Sequence, residues 1–129
     1  MKNLNINLSY STKEEYYYKI LLIFNSEAPS HLQTAPLNLE FLARFMALPK
    51  EQQYMPFNTR ARKIISKSYS KPLSIASMSI KISRLIETKH IVRDEDGFLD
   101  FSPSIRKIRD SNHFSLNVSI NPQTDQANS

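Results

Sequence analysis

The sequence contains no cysteine and a single glycine, Gly97. Without cysteine the chain has no disulfides, no thiol catalysis and no cysteine-based zinc finger, which fits a reducing cytoplasm. Phosphate-binding P-loops and dinucleotide-binding turns need several glycines, because their backbone must approach phosphate closely. The composition therefore excludes both kinds of nucleotide site.

Long hydrophobic runs are also missing. The longest apolar run, at 16–24, is interrupted by Lys19 and is far shorter than the roughly 20 residues that cross a bilayer. Residues 1–10 alternate polar and apolar side chains and lack the hydrophobic region of a signal peptide. We therefore expect a soluble protein of the cytoplasm, with no membrane partner.

Helical spacing dominates the first two thirds of the chain. The 129 residues fit one domain, and a hydrophobic content of 40% supports a modest core. Residues that favour helix N-termini precede four periodic stretches: Ser11, Asn38, Asn58 and Ser74. The fourth predicted helix runs to about Thr88. The side chains predicted to face the core are Tyr17, Ile20, Leu21, Phe24, Leu39, Leu42, Ala43, Met46, Ala61, Ile64, Ile65, Ile75, Met78, Ile82, Leu85 and Ile86.

The pattern changes from helical to extended after the fourth predicted helix. Residues 90–93 and 98–101 read as two strands, and the Asp96-Gly97 pair between them favours a hairpin turn. A short helix at 104–109 is predicted to follow. These elements predict a mainly α fold with a small β component, in the α+β class.

Residues 38–103 resemble the winged-helix branch of the helix-turn-helix proteins in the order of their predicted elements. The segments that carry the resemblance are the helix at 58–67, the Lys71-Pro72 break, the helix at 74–88, the exit at 89–92 and the hairpin, or wing, at 93–101. In that family the helix after the turn enters the major groove of duplex DNA. The resemblance therefore implies a winged helix in which 74–88 is the recognition helix.

The rest of the chain is predicted to flank this unit. Strands at 4–8 and 114–120 have similar alternating composition and are expected to pair with each other. The expected segments are an N-terminal strand, helix and loop at 1–37, the winged helix at 38–103, a helix and strand arm at 104–121, and a disordered tail at 122–129.

Basic residues are concentrated between Pro56 and Arg93. This stretch contains nine lysines and arginines and one acid, Glu87, so its net charge exceeds the formal +5 of the whole chain. A charge sorted in this way suits a phosphate backbone, because neutralised phosphates release condensed counterions.

The fourth predicted helix also carries a polar stripe. Its members recur at helical spacing and share one face: Ser77, Lys81, Arg84 and Thr88. Serine, threonine, lysine and arginine all bind phosphates or base edges. The complete set of predicted DNA-binding residues is Arg60, Arg62, Lys63, Lys67, Lys71, Ser74, Ser77, Lys81, Arg84, Thr88 and Lys89.

The predicted wing does not fit this pattern of charge. Its tip carries three consecutive acids, Asp94 to Asp96, which repel a phosphate backbone. The wing is therefore expected to stay off the DNA or to contact a protein. Arg106, Lys107 and Arg109 are an alternative backbone contact just after the wing.

These patterns indicate a non-enzymatic duplex-DNA-binding regulator of transcription or replication, acting alone or as a homodimer. The alternative is a winged-helix module that binds protein within a transcription, replication or virion assembly. The low-glycine composition, with its many lysines and asparagines, resembles small phage proteins, for which the compartment is the host cytoplasm or the virion. His31, His90 and His113 lack metal-ligand spacing, and no nucleophile-base pair is recognisable, so we expect no cofactor, no metal and no enzymatic activity.

Overall fold

Five helices and two short antiparallel strand pairs form the part of the chain that the computed structural model describes, residues 4–5, 12–110 and 119–120. The elements are β1 (Leu4–Asn5), α1 (Lys13–Glu27), α2 (Pro36–Met46), α3 (Thr59–Lys67), α4 (Ile75–Glu87), β2 (Ile91–Arg93), β3 (Leu99–Phe101), α5 (Pro103–Asp110) and β4 (Ser119–Ile120). Single 3-10 turns lie at Ser30–Leu32 and Lys50–Gln52. The predicted mainly α fold with a small β component is confirmed.

Two of the four predicted helix starts are confirmed by their capping hydrogen bonds. The Asn58 side chain accepts a hydrogen bond of 2.8 Å from the Ala61 amide, and the Ser74 hydroxyl accepts one of 3.0 Å from the Ser77 amide. Each cap satisfies one amide that the helix itself leaves unpaired, which contributes about 1 kcal/mol. α4 ends as predicted, with Thr88 as its C-cap.

The other two predicted starts are wrong by one to three residues. α1 is capped by Thr12, whose hydroxyl accepts from the Glu15 amide at 3.1 Å, and Ser11 lies outside the described residues. α2 begins at Pro36, which suits the first helical position because an amide there has no partner inside the helix. Asn38 is therefore inside the first turn of α2, and it is not the cap.

Four aromatic rings form a continuous chain through the core. The Phe41 and Phe45 centroids are 5.1 Å apart, those of Phe45 and Phe57 are 4.7 Å apart, and those of Phe57 and Phe101 are 5.0 Å apart. All four side chains are buried. Each tilted or edge-to-face pair adds roughly 0.5–1.5 kcal/mol to ordinary burial. The chain of rings joins α2, the loop before α3 and β3 into one core.

Most of the predicted core positions are buried, and three are wrong. Phe24 and Ile64 are each 39% exposed, and Ile75 is 79% exposed. Helical periodicity assigns an angle around the axis but not a distance from the core, and Ile75 is the first residue of its helix. Ile86 is partly buried. The confirmed core positions are Tyr17, Ile20, Leu21, Leu39, Leu42, Ala43, Met46, Ala61, Ile65, Met78, Ile82 and Leu85.

The β2–β3 hairpin is one residue shorter in each strand than predicted. Ile91 pairs with Phe101, and the loop at 94–98 closes with the Asp94 carboxylate accepting from the amides of Asp96 and Phe98, both at 2.9 Å. Gly97 has φ +86°, so the predicted need for a glycine in this turn is confirmed.

The terminal strands pair as expected where the structure describes them. β1 and β4 are antiparallel, with Leu4 opposite Ile120 and Asn5 opposite Ser119. The remaining residues of the two predicted strands, and the predicted tail at 122–129, lie outside the described residues. Within the described part of the chain, no helix combines the length and apolar character that crossing a bilayer requires.

Candidate nucleic-acid interface

The outer face of α3 is basic. Arg60, Lys63 and Lys67 are separated by three and four residues, so they share one face of the helix, and all three are exposed. Ile64 lies beside them, and Ala61 and Ile65 hold the opposite face in the core. α3 therefore presents three cations in a row on a helix that packing fixes in place.

Arg62 does not belong to this face. Its guanidinium Nε donates a hydrogen bond of 2.8 Å to the Phe57 carbonyl, and its side chain is half-buried beside the hairpin. The sequence placed Arg62 among the predicted DNA-binding residues, which would require an outward side chain, and the structure has it half-buried. An arginine side chain pairs with a backbone carbonyl as readily as with phosphate, and its charge alone does not distinguish the two roles.

The segment between α3 and α4 is held against α2 by one arginine. Arg44 donates to the carbonyl and the hydroxyl of Ser68 at 3.0 and 2.8 Å, and its guanidinium lies 3.7 Å from the centroid of the Tyr69 ring. Tyr69 donates to Glu40 at 3.2 Å, and burial together with that carboxylate raises the pKa of its hydroxyl. Lys71 follows this anchored part of the turn and is exposed.

Lys89 ends α4 in an unusual backbone conformation. Its φ is +67°, in the left-handed region that glycine adopts most easily. The His90 amide donates to the Leu85 carbonyl at 2.9 Å, and the Lys89 amide donates to the Ile86 carbonyl at 3.1 Å. These two bonds are those of a Schellman motif, so the motif holds an exposed lysine where glycine is the usual residue.

The predicted stripe on α4 lies at the flank of the helix and not on its outermost face. Arg84 is exposed, whereas Ser77, Lys81 and Thr88 are half-buried. The Lys81 ammonium is 6.0 Å from the centroid of the buried Phe41 ring, on the side that faces α2. The stripe is one surface, but its lysine is partly directed toward the core.

The most exposed face of α4 was missed by the sequence reasoning. Ile80 is 58% exposed, because it lies two residues from both Met78 and Ile82 and therefore on the opposite side of the helix. That spacing, which is visible in the sequence, could have identified Ile80 as an exposed residue. The exposed positions along α4 are Ile75, Ala76, Ser79, Ile80, Ser83, Arg84 and Glu87. Small and apolar side chains thus outnumber charged ones on the surface that a partner would meet.

None of the predicted basic residues forms a salt bridge within the described residues. The predicted basic residues to which this applies are Arg60, Arg62, Lys63, Lys67, Lys71, Lys81, Arg84 and Lys89. Arg44, Arg106 and Arg109, by contrast, each pair with a carboxylate. The positive charge between residues 60 and 89 is therefore not compensated locally.

Two of the four acids of the hairpin are used inside the fold. The Asp94 carboxylate closes the turn, and Asp100 pairs with Arg106. Glu95 and Asp96 remain at the exposed tip. The hairpin therefore presents two acids, Glu95 and Asp96, to a partner.

Two of the three basic residues after the hairpin also form contacts inside the fold. Arg106 pairs with Asp100, and Arg109 donates to the Gln53 side chain at 2.9 Å while its guanidinium lies 5.3 Å from the Phe101 ring centroid. Lys107 alone of the three has no such contact. The alternative backbone contact at 106–109 thus retains one available cation.

The histidines are not gathered into a site. Burial lowers the pKa of His90, and its Nδ1 lies 2.7 Å from the Thr88 hydroxyl. His31 is exposed in a 3-10 turn, and His113 lies outside the described residues. Within residues 12–110, no three histidine or carboxylate side chains are placed to hold a metal ion. Comparisons of the chain with protein-family models, curated proteins and solved structures found no match.

Proposed function

We propose that this chain is a non-enzymatic protein that binds duplex DNA through a winged-helix arrangement of α2, α3, α4 and the β2–β3 hairpin. The observation that carries the proposal is the uncompensated positive charge at residues 60–89. Residues 60–89 contain eight lysines and arginines, and Glu87 is the one acid among them. A phosphate backbone supplies the missing countercharge.

The two helices would contribute differently to such a complex. α3 and the following turn supply the exposed cations Lys63, Lys67 and Lys71, which suit phosphates. α4 supplies Arg84 and the exposed Ile80, which suit base edges, because isoleucine packs against thymine methyl groups. The acidic tip of the hairpin stays away from the backbone in this arrangement.

Salt dependence provides the test of this assignment. If about five cations contact phosphates, the logarithm of the binding constant falls with the logarithm of salt concentration with a slope of about −4.5. The measurement is fluorescence polarisation of a labelled random 20-base-pair duplex over a series of salt concentrations. The test variant is Lys63→Gln with Lys67→Gln, for which the slope is expected to become less negative by about 2.

A matched control separates a specific face from general positive charge. Lys13→Gln with Lys50→Gln removes two exposed lysines from α1 and from the 3-10 turn after α2. We expect this control to change the slope by less than half as much as the α3 double variant does. Arg84→Ala is expected to weaken binding further. Equal slopes for the two double variants would refute the assignment of α3 to the interface.

A protein partner is the second candidate, and one observation favours it. Ile75 and Ile80 are 79% and 58% exposed on α4, and exposed apolar side chains on one helix are typical of interfaces between proteins. Under this alternative the protein binds the duplex weakly, and Lys63→Gln with Lys67→Gln does not change that binding. Sedimentation velocity would then show whether the partner is a second copy, with Ile80→Ser as the variant that disrupts it.

A further inference from the structure

A cavity of about 500 Å³ lies between the C-terminal part of α1, the exit from α4 and α5. This volume is within the range of roughly 300–1,000 Å³ that small-molecule sites occupy. Much of its wall is apolar, formed by Leu21, Phe24, Ala28, Leu32, Ile105 and Ile108. It is separate from the basic outer face of α3, which contributes none of its lining.

The polar residues that line this cavity within the described part of the chain are cationic or neutral. Lys89 and Lys107 line it from the end of α4 and from α5, and both side chains are exposed. Neither lysine forms an ion pair with the described residues. No aspartate or glutamate among residues 12–110 lines the cavity, so a bound cation would find no countercharge from them.

Neutral hydrogen-bonding groups complete the wall. The Thr88 hydroxyl lies 2.7 Å from Nδ1 of His90, and the Ser102 hydroxyl is buried. The pKa of His90 is lowered by burial, so at neutral pH its ring adds polarity and no charge. Beside the apolar wall, the charge available to a ligand therefore comes from the two lysines.

We propose that this cavity binds a small amphipathic monocarboxylate, with its apolar body against α1 and α5 and its carboxylate at Lys89 and Lys107. The apolar wall selects a hydrocarbon or aromatic body, because burial of such a surface stabilises the complex. The lysines select an anion over a neutral or cationic compound of equal length. The site is independent of the proposed DNA binding, apart from sharing Thr88 and Lys89.

Decanoate and 1-decanol are the probes that test this site, since they share one chain and differ in charge. Isothermal titration and ¹H–¹⁵N spectra of the full chain are expected to show saturable decanoate binding that shifts amides lining the cavity. We expect 1-decanol to bind at least tenfold more weakly. Equal binding of the two probes, or no saturable binding of decanoate, would overturn the proposal.

Three variants and one control test the placement of the ligand. Lys107→Gln and Lys89→Asn each remove one cation, and asparagine tolerates the left-handed backbone at position 89. We expect each to weaken decanoate binding three- to tenfold, and Lys71→Gln, outside the cavity, to leave it unchanged. Ala28→Leu fills part of the cavity and is expected to abolish binding. If that variant does not fold, the exposed Lys107 still decides, because unchanged affinity in Lys107→Gln contradicts the site.

Discussion

Replacing Lys89 by glycine is expected to stabilise the fold and, if the proposed interface is right, to weaken DNA binding. Lys89 has φ +67° within the Schellman motif that ends α4. An L-residue in the left-handed region costs about 1–2 kcal/mol relative to glycine. Glycine also gives the unfolded chain more conformational freedom, which offsets roughly 0.4–1 kcal/mol of that stabilisation. The expected net gain is therefore about 0.5–1 kcal/mol.

Thermal unfolding followed by circular dichroism measures this gain. A stabilisation of about 0.5–1 kcal/mol corresponds to an increase in Tm of roughly 2–6 °C for a chain of this size. Lys89→Ala distinguishes the effect of backbone conformation from the effect of charge. Alanine removes the ammonium but has the same energetic cost in the left-handed region. We expect its Tm to equal that of the parent protein.

Lys63→Gly is the control with the opposite sign. It also exchanges an exposed lysine for glycine, but in the middle of α3, where glycine costs about 1 kcal/mol. A lower Tm for Lys63→Gly beside a higher Tm for Lys89→Gly identifies backbone conformation as the cause. If Lys89→Gly and Lys89→Ala have the same Tm, the left-handed strain assigned to this residue is absent. In the duplex assay, all three variants should lose about one unit of salt slope.

Three further predictions concern the fold. Asn58→Ala and Ser74→Ala should each lower the free energy of unfolding by about 1 kcal/mol in urea titrations, and an unchanged value would contradict the caps. Phe57→Ala should cost about 3–5 kcal/mol because it breaks the chain of buried rings, whereas exposed Phe98→Ala should stay within about 0.5 kcal/mol. Burial lowers the pKa of His90 below the ordinary 6.5, so the unfolded chain binds the proton first as pH falls. Stability should therefore decrease below about pH 6.5, and His90→Gln should reduce that pH dependence of Tm; equal pH profiles would contradict the buried neutral ring.

The parts of the fold that could be predicted from the sequence depend on local chemistry. Asn58 and Ser74 are caps because their side chains reach amides three residues ahead, which needs no tertiary contact. Gly97 marks its turn for a similar reason, since its φ is accessible to glycine at little cost. Each of these features is decided within a few residues of the chain.

The errors about the basic residues concern contacts that spacing does not identify, whether the partner is 5 residues away, as for Arg62, or 56, as for Arg109. Arg62 and Arg109 bond to Phe57 and Gln53, and neither partner is distinguishable from other candidates by spacing. Lys81 approaches Phe41 because α4 packs on α2, which a helical wheel drawn for α4 alone omits. Sequence reasoning could therefore locate the basic region but not sort its cations into available and internally used ones.

No pattern in the sequence predicts the cavity, because its wall is formed by contacts between elements that are far apart in the chain. Its wall joins α1, the exit from α4 and α5, and its lining extends from Leu21 to Ile108, 87 positions apart along the chain. Lys89 contributes both to this wall and to the predicted DNA face, whereas Lys63 and Lys107 each belong to one of them.

This division allows the two proposals to fail separately. Lys63→Gln should reduce duplex binding and spare decanoate, Lys107→Gln should do the reverse, and Lys89→Asn should reduce both. If Lys89→Asn weakens the binding of only one ligand, Lys89 does not belong to the surface that binds the other. If Lys63→Gln and Lys107→Gln each affect both ligands, the effects arise from net charge, and neither surface is a specific site.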